Sequence, residues 1–142
     1  MLIPDINVLV YAARVQAPAH DRFLAWLDGA LRETEPVALV APVAAGVMRI
    51  LTNPRVFAQP QQVDEAAGFL EAIMKSAACV TPAPSSRHLP LFLDLCRRSG
   101  AKGDLAPDAW LAATAIDLGA TLVTADRGFA RFPGLRWRHP LD

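Results

Sequence analysis

Short apolar runs punctuate this chain, and stretches of helical periodicity lie between them. Leu2-Ile3, Val37-Ala38-Leu39-Val40, Ala78-Cys79-Val80 and Thr121-Leu122-Val123-Thr124 read as strands, and Leu135-Arg136-Trp137 as a short fifth. The run from Val37 to Val40 is apolar without alternation and is bounded by prolines. That is how a strand covered on both faces reads. Strands alternating with helices predict a parallel sheet between helical layers, joined by right-handed crossovers. The chain's 142 residues suit one domain spanning positions 1–142.

The helices are marked by periodicity and by their stops. Residues Asn7 to Arg14 form the first. Pro18 and Asp21 open a second, with Phe23, Leu24, Trp26, Leu27 and Leu31 at helical spacing. Pro42 to Leu51 is a third. It ends at Thr52-Asn53-Pro54, because a residue before proline resists the α region. Asp64 to Lys75 follows, then Ser86 to Ser99 with Gly100 as its C-cap. Ala106 to Leu118 is the last, ended by Gly119. It is apolar nearly all round, which predicts burial.

Composition excludes several classes. Hydrophobic residues make up 53%, too many for a disordered chain. Fourteen basic and fourteen acidic residues cancel, so any contact with nucleic acid must rest on local patches. Cys79 and Cys96 lack zinc-site spacing and read as reduced small hydrophobes. His20, His88 and His139 are scattered and read as surface or helix-end residues. With no signal-type segment and no apolar run of membrane length, a soluble cytoplasmic protein is expected.

Chemistry concentrates in four aspartates. Asp5 ends the first strand, Asp126 follows the fourth, and Asp104 and Asp108 stand where the last helix begins. In an open parallel sheet, ligands bind beyond the carboxyl ends of strands where strand order reverses. If the first and fourth strands are neighbours there, Asp5 and Asp126 share one crevice. Each aspartate also suits a helix N-cap or first turn. Separate caps need not converge, whereas carboxylates around a divalent cation must. A magnesium or manganese ion takes such oxygens together with water and substrate phosphate, which suggests phosphate-ester chemistry. A phospho-acceptor or phosphatase domain is the rival enzyme class, but neither Lys75 nor Lys102 follows a strand to serve it.

Asp5-Ile6-Asn7-Val8-Leu9-Val10-Tyr11-Ala12, Asp108-Ala109-Trp110-Leu111-Ala112-Ala113 and Thr124-Ala125-Asp126-Arg127-Gly128-Phe129 stand in order along the chain. With Arg49-Ile50-Leu51-Thr52-Asn53-Pro54-Arg55-Val56-Phe57, they resemble the PIN-domain ribonucleases, specifically VapC-like toxins of toxin–antitoxin pairs. The resemblance implies a Rossmann-like α/β/α sandwich with a mostly parallel sheet of four to five strands. It implies a divalent-metal-dependent endoribonuclease, with Asp5, Asp108 and Asp126 holding Mg2+ or Mn2+ and a metal-bound water attacking RNA. Asn7 and Thr124 would orient the carboxylates. Arg49, Arg55, Lys102 and Arg127 are the candidate RNA contacts, with Arg136 and Arg138 beyond them. A cognate antitoxin and a second copy of the chain are the implied protein partners.

One departure stands out. Many relatives carry a glutamate where this chain has Gly46, and Pro42 to Leu51 contains no acid. Either Asp104 supplies the missing ligand from one turn before Asp108, or the pocket works with one fewer. In the second case, a module that only binds RNA or antitoxin is the alternative reading.

Overall fold

A computed structural model describes residues 1–142. Five parallel strands form one sheet: β1 (Leu2–Pro4), β2 (Val37–Ala38), β3 (Cys79–Val80), β4 (Thr121–Val123) and β5 (Trp137–Arg138). Their order is β3-β2-β1-β4-β5. Leu2 is in register with Val37 on one side and Thr121 on the other, and Ile3 and Pro4 face Leu122 and Val123. The chain winds outward from β1 through β2 to β3, then crosses back to β4 and β5. Strand order therefore reverses between β1 and β4.

Proline is unusual in a central strand because it lacks an N–H. Parity explains why Pro4 is tolerated. The Leu2 N–H donates to Pro36 on the β2 side, and residues two apart present to the same side. Pairing of β1 with β2 is limited to Leu2, so the donor that Pro4 lacks falls beyond the ladder.

Six helices cover the sheet: α1 (Ile6–Ala13), α2 (His20–Ala30), α3 (Ala41–Leu51), α4 (Val63–Met74), α5 (His88–Ser99) and α6 (Ala106–Asp117). Right-handed crossovers put α1–α4 over one face and α5–α6 over the other. The helix contacts divide the same way: α1 with α2 and α3, α3 with α4, and α5 with α6. The expected α/β/α sandwich is thus the observed architecture. Gly100 adopts φ +67° and closes α5 as its C-cap. Ala109, Ala112, Ala113 and Ala115 of α6 are fully shielded from solvent. Their small side chains let this helix lie close to its neighbours.

Two boundaries differ from the sequence reading. The apolar run Val37 to Val40 is buried throughout, but regular strand ends at Ala38. Leu39 still donates to the Val80 carbonyl, while Val40 turns to cap α3. The fifth strand begins at Trp137, two residues later than Leu135. Pattern identifies buried segments well and locates their hydrogen-bonded ends poorly.

Gly46 sits at the crossing of α1 and α3. A Cβ there would overlap Cδ1 and Cγ1 of Ile6, so the glycine is what lets the Ile6 side chain lie against α3. Gly46→Ala would gain about 1 kcal/mol of helix propensity while forcing Ile6 aside. The expected outcome is coupling: Gly46→Ala stabilises the chain in an Ile6→Ala background but not in the wild type. A double-mutant cycle read by urea denaturation should show an interaction of about 1 kcal/mol. Additive effects would mean that the contact is not constraining.

Candidate active site

Asp5 leaves β1 at the strand-order reversal, and its backbone N–H donates to Val123 of β4 at 2.8 Å. Asp5 is only 6% exposed. Burying a charge there requires donors, and three converge on it. The Ile6 N–H donates to Oδ1 at 2.7 Å, so Asp5 also caps α1. Asn7 Nδ2 at 2.7 Å and Thr124 Oγ1 at 2.6 Å donate to Oδ2. Asn7 further accepts from the Ala125 N–H through Oδ1 at 3.1 Å. Asn7 and Thr124 therefore tie the end of β1 to the end of β4, and Thr124 is wholly buried.

Asp126 lies on the rim. Its Oδ1 accepts from the Gly128 N–H at 2.7 Å, and its own N–H donates to Thr124 Oγ1 at 3.0 Å. It caps the 3-10 turn Arg127–Arg131, so the cap role and a place at the cavity coexist in one residue. Asp108 is half-buried in the first turn of α6. Asp5, Asp108 and Asp126 come from three separate segments and line one cavity of about 350 Å³. Ile6, Val10, Tyr11, Ile50, Phe57 and Phe129 supply its apolar wall. A smaller cavity of about 190 Å³ adjoins it and shares Asp5, Ile6 and Asp108.

Proton affinities follow from this crowding. Asp108 is pushed up to about 6, first by burial and then by the charges of Asp5 and Asp126, with Arg131 opposing. Asp5 is also raised by burial and by Asp126, against the pull of its Thr124, Ile6 and Asn7 donors. Like charges that raise one another are what a cation would relieve. The donors are all hard oxygens, the set magnesium and manganese prefer. No three His, Cys, Asp or Glu side chains approach closely enough to enclose an ion unaided. The residues thus fit an ion whose shell is completed by water and phosphate, rather than one caged by protein alone.

Other candidates are placed differently. Asp104 is exposed and lines neither cavity at the acids. It belongs to the 3-10 turn Gly103–Leu105, before α6 begins, so the one-turn spacing that would align it with Asp108 does not apply. Nor does it cap α6, which has no side-chain cap. The place of the absent acid at Gly46 is filled by Ile6. Arg49, Arg55 and Lys102 are exposed and lie outside both of these cavities. Arg127 pairs with Asp142 at 3.1 Å.

Arg131 is the cation whose charge reaches Asp108, and the sequence reading passed over it. Its signal was the three-residue spacing from Gly128, whose carbonyl accepts from Arg131 Nε at 2.9 Å. His88 is buried rather than superficial; its Nε2 lies 2.9 Å from Thr114 Oγ1, between α5 and α6.

Residues 2–135 match the family model described as the PIN domain. The chain belongs to the PIN-domain family. Ribonuclease VapC43 of Mycobacterium tuberculosis is 42% identical over 142 residues, covering all of this chain and 97% of that protein. Ribonuclease VapC25 of the same organism is 36% identical over 140 residues, covering 99% of each. Within the family, the chain stands with these VapC proteins. Among solved structures, VapBC2 of Rickettsia felis, crystallised with a DNA fragment from its promoter, shares the fold at a TM-score of 0.72. It is 20% identical, with 97% of each chain covered. FitAcB of Neisseria gonorrhoeae shares it at 0.64.

The raised Asp108 sets a pH dependence. Its folded value lies above its ordinary 3.8, so its contribution to stability is complete below that pH and is lost as pH rises through about 6. In chelator, wild-type melting temperature should fall across that window, and Asp108→Asn should flatten the fall and melt higher at neutral pH. An unchanged profile in Asp108→Asn would assign the titration to another group.

Proposed function

We propose that this chain is a divalent-metal-dependent endoribonuclease, the toxin of a toxin–antitoxin pair. The observation that carries the reading is the meeting of Asp5, Asp108 and Asp126 in one cavity at the strand-order reversal, with no lysine lining it. Relatives named as ribonucleases align over nearly the entire chain, which supports RNA as the substrate. Single-stranded or looped RNA suits a narrow crevice. Solved VapBC structures that share the fold support a cognate antitoxin as partner. A second copy of the chain is the other expected partner.

Asp5, Asp108 and Asp126 would hold Mg2+ or Mn2+. Bound there, the ion would neutralise the clustered carboxylates and the developing phosphate charge, and would acidify water. The chain's own groups supply the rest. Asn7 and Thr124 fix the rotamer of Asp5 and keep its Oδ2 saturated with donors, leaving Oδ1 the freer atom. One of these carboxylates would accept the proton of the attacking water. Attack at phosphorus in line breaks the opposite P–O bond, and the leaving oxygen takes up a proton. Arg131 would balance charge on the phosphate from the rim. The phospho-acceptor alternative needs a lysine beside the acids, and neither cavity at the acids has one.

A binding-only module is the second reading. It is favoured by Ile6 occupying the place of an acid and by the open spacing of the carboxylates. Cleavage of structured RNA in manganese separates the two. Asp5→Asn should reduce the rate by about 10²-fold or more, the scale of charge stabilisation a divalent ion supplies. Asp104→Asn should stay within about threefold of wild type, because Asp104 lies outside the cavity. Equal activity of wild type and Asp5→Asn would remove Asp5 from the mechanism. An absent metal-dependent thermal shift with antitoxin binding intact would favour the binding module.

A further inference from the structure

Asn7, Val10, Tyr11 and Arg14 recur at the spacing of one helical face. Asn7, Val10 and Tyr11 line the acidic cavity; Val10, Tyr11 and Arg14 line a second cavity of about 240 Å³. Phe57 borders both, so the two cavities adjoin along α1 and together offer a path for an extended ligand. The acidic end of that path lies at Asn7 and the basic end at Arg14, about 10 Å apart by helix rise.

Arg14 is 8% exposed and forms no ion pair; the chain's salt bridges lie elsewhere. Its side chain donates one hydrogen bond, from NH1 to the Gln59 carbonyl at 3.3 Å. The guanidinium lies over the Phe57 ring, 3.5 Å from its centroid. As the C-cap residue of α1 it also meets the helix's negative end. These neutral contacts and partial charges leave the full positive charge of a deeply set guanidinium without a counter-ion. A guanidinium has five donors in a planar fork matched to phosphate. Tyr11 and Phe57 border the space between it and the acids, where aromatic surface suits an unstacked base.

We propose that Arg14 forms a phosphate subsite for single-stranded RNA, with Tyr11 and Phe57 flanking the intervening nucleotide. The proposal rests on the ribonuclease reading and extends it to how substrate is held. It differs from the exposed arginines of the sequence reading, because Arg14 is built into the cavity next to the acids. RNA is favoured over an acidic peptide because the Arg14 cavity adjoins a site suited to phosphodiesters.

The test measures binding of a fluorescein-labelled mixed-sequence RNA heptamer as a function of salt, in magnesium. An Asp5→Asn background keeps the RNA intact. Adding Arg14→Met should weaken binding about tenfold and flatten the log–log salt slope by about 0.7, one phosphate contact on a single strand. Arg14→Lys should keep the slope. Unchanged slope in Arg14→Met, even with weaker binding, overturns the proposal and leaves Arg14 as packing for Phe57. Loss of hexaglutamate binding with RNA binding retained overturns it in favour of an acidic protein segment. So does failure of the background protein to bind RNA, while the ribonuclease reading is judged separately by wild-type cleavage.

Should Arg14→Met not fold, single methylphosphonate linkages moved along the heptamer test the background protein directly. One neutral linkage outside the acidic cavity should lower affinity. If none does, there is no such subsite.

Discussion

Everything at this site depends on holding one carboxylate at the end of the central strand. Asp5 is nearly buried, and an unassisted charge there would cost several kcal/mol or be neutralised by a proton. Three donors offset part of that cost, and they come from both sides of the strand-order reversal. The same bonds therefore orient Asp5 and tie β1 to β4. Asp126 is drawn in through Thr124, which donates to Asp5 and accepts from the Asp126 N–H. Asp108 arrives separately, on the first turn of a helix whose alanine-rich body lies inside the core.

The surroundings of the acids are as specific as the acids. Ile6 lies across Gly46, where a carboxylate was expected from the resemblance, and gives the cavity an apolar wall. Three carboxylates remain there to meet a cation. Asp104 does not restore the count, since it stands on an exposed turn before α6. A second cavity instead adjoins the site along α1, past Tyr11 and Phe57 to Arg14, giving the pair opposite charges at the two ends.

Much of this was legible in the chain. Short apolar runs, proline stops and Gly100 located the strands and helices to within about two residues, because burial and backbone sterics act locally. Asp5, Asp108 and Asp126 were recognisable from their places at strand and helix ends. The failures share a cause. Asp104 was offered as a ligand by helical spacing on a turn that is not yet α-helix, and His88, read as a surface or helix-end residue, does open α5 but is buried, because a lone histidine carries no burial signal. Arg14 looked like any of twelve arginines, since nothing local says which guanidinium folds inward.

By itself, the sequence determined the alternation of elements, the parallel sheet it requires, and the family to which the chain belongs. Those follow from periodicity, capping and motif order, which are properties of neighbours along the chain. Tertiary structure decided which carboxylates meet, that Ile6 takes the space over Gly46, and that Arg14 is buried without an anion. Those depend on contacts between residues as far apart as Asp5 and Thr124, and only closing β1 against β4 brings them within hydrogen-bonding reach.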